Sequence, residues 1–143
     1  MADATTGYSG TPLPKKLGIK PGHRVLLVGA PAGFAHTHLE PLPPGVTIHL
    51  RRGVGAYDVI VGFATTTAQL GNVLATNIEG MPVDGALWVA WPKQTSGVAT
   101  ELTGDVVRRD GLAAGVVDVK VCAIDATWSG LKFVFRLADR VGR

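Results

Sequence analysis

One cysteine, Cys122, in 143 residues rules out an intramolecular disulfide and any Cys-x-x-Cys metal or redox motif. No apolar run approaches the ~20 residues that span a bilayer, and no secretory leader pattern is present, so no membrane partner is expected and the cytoplasm is the expected compartment. Charge is scarce: 17% of residues are charged, against roughly 25% in an average soluble domain. With 46% hydrophobic residues, that scarcity excludes disorder and requires a heavily buried interior. The 14 basic residues outnumber the 11 acidic ones by only three, and only Lys15-Lys16, Arg51-Arg52 and Arg108-Arg109 are adjacent. Basic residues do not interleave with aromatics, which argues against nucleic acid as a partner. The sequence also lacks a Walker loop, usefully spaced paired carboxylates and a recognisable Ser-His-Asp order.

Glycine is abundant, with 19 residues, and it punctuates short apolar runs. Residues 1–14, rich in Gly, Ser, Thr and Pro, read as a flexible arm, and residues 15–143 as a single domain. Three runs, Val25-Leu26-Leu27-Val28, Asp58-Val59-Ile60-Val61-Gly62-Phe63 and Ala86-Leu87-Trp88-Val89-Ala90-Trp91, are apolar without alternation. Strands covered on both faces of a parallel sheet have that pattern. A shorter strand from Val46 to Leu50 follows the turn at 41–45. Leu70, Val73, Leu74 and Ile78 recur at helical spacing behind a Thr66/Gln69 capping box, with Gly80 as the stop. A second helix is expected from Thr103 to Ala114, with Leu102 and Val106 inward and Gly115 as its end. Gly104 and Gly111 weaken it by roughly 1 kcal/mol each. Strands alternating with helices predict right-handed crossovers onto a parallel sheet.

The last third alternates instead. Val117, Val119, Val121 and Ala123 face one way and Asp118, Lys120 and Cys122 the other. Phe133, Phe135 and Leu137 similarly alternate with Lys132, Val134 and Arg136. Joined by a loop at 125–131, these segments predict an antiparallel pair on one edge. The expected architecture is therefore a three-layer α/β Rossmann-like, mostly parallel sheet of about six strands with a C-terminal antiparallel edge pair.

The segment Leu17-Gly18-Ile19-Lys20-Pro21-Gly22-His23-Arg24-Val25-Leu26-Leu27-Val28-Gly29 resembles the entrance to the core of class I methyltransferases. So do the aspartate-led Tyr57-Asp58-Val59-Ile60-Val61 and the glycine-introduced Asp84-Gly85-Ala86-Leu87-Trp88-Val89. Over its whole length the chain is similar to a bacterial family known as domain of unknown function 3052. Tyr8-Ser9-Gly10-Thr11-Pro12-Leu13, Trp91-Pro92-Lys93 and Val121-Cys122-Ala123-Ile124-Asp125 carry that similarity, which implies no known activity. The methyltransferase resemblance implies S-adenosylmethionine, but the sequence departs from it where that cofactor is held. No carboxylate stands at or just before Gly29, Ala30-Pro31 crowds the loop, and the second strand ends Leu50-Arg51-Arg52 rather than in an acid. No cofactor is therefore predicted.

Ligands of open α/β sheets bind beyond the carboxyl ends of strands where the order reverses, here between the first strand and the Asp58 strand. The candidate ligand-binding residues are Gly29, Ala30, Gly33, Thr65, Thr66, Thr67, Lys93 and Ser96, and they suit an anionic or phosphorylated small molecule. The competing reading is that Thr66 caps its helix while Lys93 and Ser96 shape a solvated turn. His36 and His38, near Glu40, read as surface histidines rather than metal ligands, and Cys122 as a buried, inert thiol. In the loop at 125–130, Asp125 and Ser129 are expected to make turn hydrogen bonds while Trp128 packs over the sheet edge. Trp88 and Trp91 read as core. No catalytic residue is assigned. The leading functional expectation is a non-catalytic, methyltransferase-like module binding an anionic small molecule or a protein partner. The alternative is an S-adenosylmethionine-dependent methyltransferase with an altered loop, with Asp58, Lys93 and Trp91 near its cleft. An exposed edge from Val117 to Ile124 leaves room for a homodimer.

Overall fold

A computed structural model describes residues 11–136. The elements run α1 (Leu13–Lys16), β1 (Arg24–Val28), α2 (Phe34–His38), β2 (Thr47–His49), β3 (Val59–Phe63), α3 (Thr67–Ile78), β4 (Ala86–Pro92), a 3-10 turn (Gln94–Ser96), α4 (Gly104–Ala114), β5 (Val116–Ala123) and β6 (Trp128–Phe135). They form one six-stranded sheet in the order β2-β1-β3-β4-β6-β5. β1 to β4 pair in parallel, and β6 and β5 add on antiparallel. The Rossmann-like α/β arrangement with its antiparallel C-terminal pair is thus present. β1 is flanked by β2 on one side and β3 on the other, so the order reverses there as expected.

Continuous apolar runs became central strands because both of their faces are covered: every residue of β3 and β4 is buried. On one face Val25, Leu27, Val61, Trp88 and Ala90 pack with Leu17, Phe34 and Leu39. On the other, Leu26, Ile60, Leu87, Val89 and Phe133 pack with Leu70, Val73 and Leu74 of α3 and Val107 of α4. The Trp88 indole N–H donates to the Leu17 carbonyl at 3.1 Å, so even this fully buried ring leaves no polar atom unmet.

Thr66 caps α3 and Thr103 caps α4 through their side chains, and Gly115 ends α4 at φ +105°. The inward residue of α4 is Val107, fully buried, while Val106 lies on the flank. Gly111 faces the sheet so closely that a Cβ there would lie 2.2 Å from Cε1 of Phe133. The helix-weakening glycine is what lets α4 approach the strand.

Several expectations needed correction. Leu13 and Pro14 are buried in α1, so the expected end of the arm at 14 falls inside an ordered element. His36 and His38 lie on the short helix α2, His36 exposed and His38 half-buried. The connection before β6 spans only 124–127, because strand pairing already begins at Trp128. Val117, Val119, Val121 and Ala123 do not share one face: Val117 stands opposite Val134, whereas Val121 and Ala123 stand opposite Leu131 and Ser129 on the other side. A bulge between Asp118 and Lys120 shifts the alternation by one residue on this edge strand. Leu137, expected to continue the β6 pattern, lies outside the described residues.

Candidate functional site

At the carboxyl end of β1 the chain turns at Gly29, φ +69°, and a Cβ there would meet the Phe63 carbonyl oxygen at 3.3 Å. The turn is therefore pressed against the end of β3, and Gly33, φ +75°, then starts α2. A cavity of about 500 Å³ opens between this loop and the end of β2, lined by Leu27, Gly29, Ala30, Gly33, Phe34 and Leu50 among others. On the other side of Gly29 lies a second cavity of about 330 Å³, bounded by Phe63, Thr65, Gln69, Asn72 and Trp128. Gly29 belongs to both.

Aromatic rings support this rim. Phe63 meets Phe34 edge-on at 5.0 Å and Trp128 edge-on at 5.1 Å, and Phe34 contacts the His38 ring at 5.1 Å. His38 Nε2 reaches Asp125 Oδ2 at 3.3 Å, while Asp125 Oδ1 accepts the backbone N–H groups of Thr127 and Trp128, both at 2.8 Å. Asp125 makes the expected turn bonds and also ties α2 to the β5–β6 turn. Nothing local in the sequence announces the His38–Asp125 contact or the Phe34–Phe63–Trp128 row, since their members are far apart along the chain.

The threonines are internally occupied. The Thr65 N–H and hydroxyl both donate to Gln69 Oε1, at 2.8 and 3.1 Å, and Thr66 Oγ1 accepts the Gln69 N–H at 3.1 Å. The Thr67 N–H and hydroxyl donate to Glu101 Oε1 at 2.8 and 3.2 Å. The start of α3, which favours negative charge, thus receives it from the chain's own Glu101, a residue the sequence reading passed over. Ser96 Oγ donates to the Lys93 carbonyl at 2.7 Å and accepts the Val98 N–H at 3.1 Å. The Lys93 N–H donates to the Thr127 carbonyl. Of the eight candidate residues, Gly29, Ala30 and Gly33 line the first cavity and Gly29 and Thr65 the second. Thr66, Thr67, Lys93 and Ser96 line neither.

Beyond β2, Arg52 hydrogen-bonds the Asn77 side chain and sits over the Tyr57 ring at 5.6 Å. Arg51 is exposed next to Leu50. The volume and the glycine turns suit S-adenosylmethionine, but no carboxylate lines either cavity, so nothing there would pair its ammonium or ribose hydroxyls through an acid side chain. Among the described residues no three His, Cys, Asp or Glu side chains gather as a metal set, and no helix is long and apolar enough to cross a membrane. Burial pushes the Cys122 thiol up from its ordinary value, with Lys16 and Lys120 pulling the other way.

Among solved structures the chain is similar to fibrillarin from Aeropyrum pernix in complex with natively bound S-adenosyl-L-methionine, at 16% identity and a TM-score of 0.59, covering 91% of this chain and 71% of that one. It is also similar to the Methanococcus jannaschii fibrillarin pre-rRNA processing protein, at 14% identity and 0.57, covering 82% and 68%. A TehB-like S-adenosylmethionine-dependent methyltransferase from Corynebacterium glutamicum matches at 10% identity and 0.53, covering 93% and 92%. The fold is that of the Rossmann-like methyltransferases. No family model and no curated protein matches the chain, so its similarity to domain of unknown function 3052 is unconfirmed.

Proposed function

We propose that this methyltransferase-fold chain binds a negatively charged, nucleoside-type small molecule in the 500 Å³ cavity between the Gly29 turn and Leu50. The observation that carries this reading is the charge at the end of β2. Leu50 lines the cavity and is followed by Arg51 and Arg52, where the methyltransferase pattern calls for an acid. Leu27, Ala30, Pro31, Phe34 and Leu50 offer apolar wall to a base, and an arginine beside the ribose position suits a phosphate, as in α/β folds that accept a 2′-phosphate. S-Adenosylmethionine carries a sulfonium and an ammonium against one carboxylate. Without an acid, each of its unpaired polar groups costs on the order of 1 to 3 kcal/mol.

A second reading, an S-adenosylmethionine-dependent methyltransferase, is favoured by the similarity to a fibrillarin with that cofactor natively bound. Calorimetric titration with AMP, adenosine, S-adenosylmethionine and S-adenosylhomocysteine separates the two. The binder reading expects AMP to bind at least tenfold more tightly than adenosine, and Arg51→Glu to abolish that preference. Binding of S-adenosylmethionine without AMP would establish the second reading. Saturation by none of the four at millimolar concentration would remove both.

A further inference from the structure

On the face that α1 covers, from the amino ends of β3 and β4 across β6 to β5, the sheet carries a group of lysines. Lys120 of β5 is the register partner of Lys132 of β6, so the two side chains leave the same face of the sheet. This is the face that α1 approaches, where Lys16 Nζ donates to the Ala123 carbonyl at 3.2 Å. Lys132 and Lys20 together line a cavity of about 330 Å³ with Gly18, His23, Asp58 and Asp84, at the amino ends of β3 and β4. Asp58 there is engaged by the Arg24 N–H at 2.8 Å, and His23 Nδ1 accepts the Lys20 N–H. Among the described residues none of Lys20, Lys120 and Lys132 pairs with a carboxylate.

The β5 bulge produces this arrangement. With unbroken alternation Asp118 would share a face with Lys120 and partly neutralise it. Instead Asp118 stands opposite Phe133, on the α4 side, where it takes Arg108 Nε at 3.0 Å. Bulges re-aim side chains, and this one removes the acid of the β5–β6 pair from the lysine face. Half-buried Lys132 is left among like charges, its ammonium held below the ordinary lysine value by burial and then by Lys120 and Lys20.

We propose that this face binds a compact polyphosphate, with Lys120 and Lys132 at its centre and Lys20 at its rim. Several ammonium groups converging on one region are relieved most by an anion carrying several charges close together. The neighbouring positions on the same face, Val117, Val134, Cys122 and Gly130, carry no ring, and the His23 ring in the cavity is tied through Nδ1 to the Lys20 N–H, so phosphate charge rather than a nucleobase is what this face recognises.

The test is calorimetric titration of the full chain with sodium tripolyphosphate at low and moderate salt. Saturable binding that weakens with salt is expected, reduced at least tenfold in Lys120→Gln/Lys132→Gln and unchanged in Arg51→Gln, which separates this site from the Leu50 cavity. Lys120→Gln alone, on the exposed edge strand, guards against misfolding and should lower affinity severalfold. NMR of reductively methylated lysines should show the Lys132 titration moving to higher pH on binding. The proposal is overturned by absence of binding at millimolar tripolyphosphate, by unaltered affinity in folded Lys120→Gln, or by binding of an oligonucleotide without tripolyphosphate.

Discussion

Two glycines in helices should respond to alanine in opposite directions. On helix propensity alone, Gly→Ala gains up to about 1 kcal/mol at either site. Gly71, in the exposed part of α3, has open space around its virtual Cβ, so Gly71→Ala should realise that gain. At Gly111 the same methyl would lie 2.2, 2.4 and 2.9 Å from three ring atoms of Phe133, a residue with no solvent exposure and no room to move. Overpacking of this kind costs roughly 1 to 3 kcal/mol, so Gly111→Ala should lose about 1 to 2 kcal/mol net. For a chain of this size each kcal/mol moves Tm by roughly 2 to 4 °C, giving shifts of opposite sign in thermal and urea unfolding followed by circular dichroism. Phe133→Leu should relieve part of the Gly111→Ala loss in a double-mutant cycle. If Gly111→Ala stabilises as Gly71→Ala does, α4 does not press on β6 and the packing of the sheet's C-terminal half is wrong.

Two other perturbations probe the charges that the fold has arranged. Glu101→Ala removes the acceptor of the Thr67 N–H and hydroxyl at the start of α3 and should lower stability by about 1 kcal/mol, with sulfate restoring more stability to the variant than to the parent. Because Lys132 is depressed in the fold, its contribution to stability is complete above the ordinary value of 10.5 and is lost as pH falls through the folded value. In a Cys122→Ala background, which removes the opposing loss above 9.0 from the raised thiol, the urea midpoint of the parent should rise with alkaline pH more steeply than that of Lys132→Met.

The central strands were legible because burial on both faces leaves a mark that needs no knowledge of partners. Val59-Ile60-Val61 and Leu87-Trp88-Val89 are apolar wherever one looks along them, and the caps Thr66, Thr103 and Gly115 act within a few residues. The bulge at Val119 left no such mark, since regular alternation in the sequence is compatible with a regular strand. Only the pairing with β6 shows that Asp118 and Lys120 end on opposite faces. The site was legible in outline only. The Gly29 turn and the missing acid could be read directly. The anion at α3, however, comes from Glu101, 34 residues beyond the amide it meets, and His38 finds Asp125 across 87 residues.

The Glu101 carboxylate closes one place where an anion could otherwise sit. An α/β crevice sets ligand charge mainly at two kinds of place, the starts of the helices that follow its strands and the end of the strand across the switch point. The start of α3 is filled by Glu101, bonded to Thr67, and an anion placed there would meet a like charge. The end of β2 is followed by Leu50-Arg51-Arg52, with Arg52 already held by Asn77 and Tyr57 and Arg51 exposed. A phosphate in the larger cavity therefore belongs on the Arg51 side, with the base against Ala30, Pro31 and Phe34. Glu101→Ala should accordingly leave AMP affinity within about twofold, whereas Arg51→Ala should lower it roughly tenfold, equivalent to about 1.4 kcal/mol. The reverse pattern, in which Glu101→Ala tightens AMP and Arg51→Ala does nothing, would place the phosphate at α3 and refute this orientation.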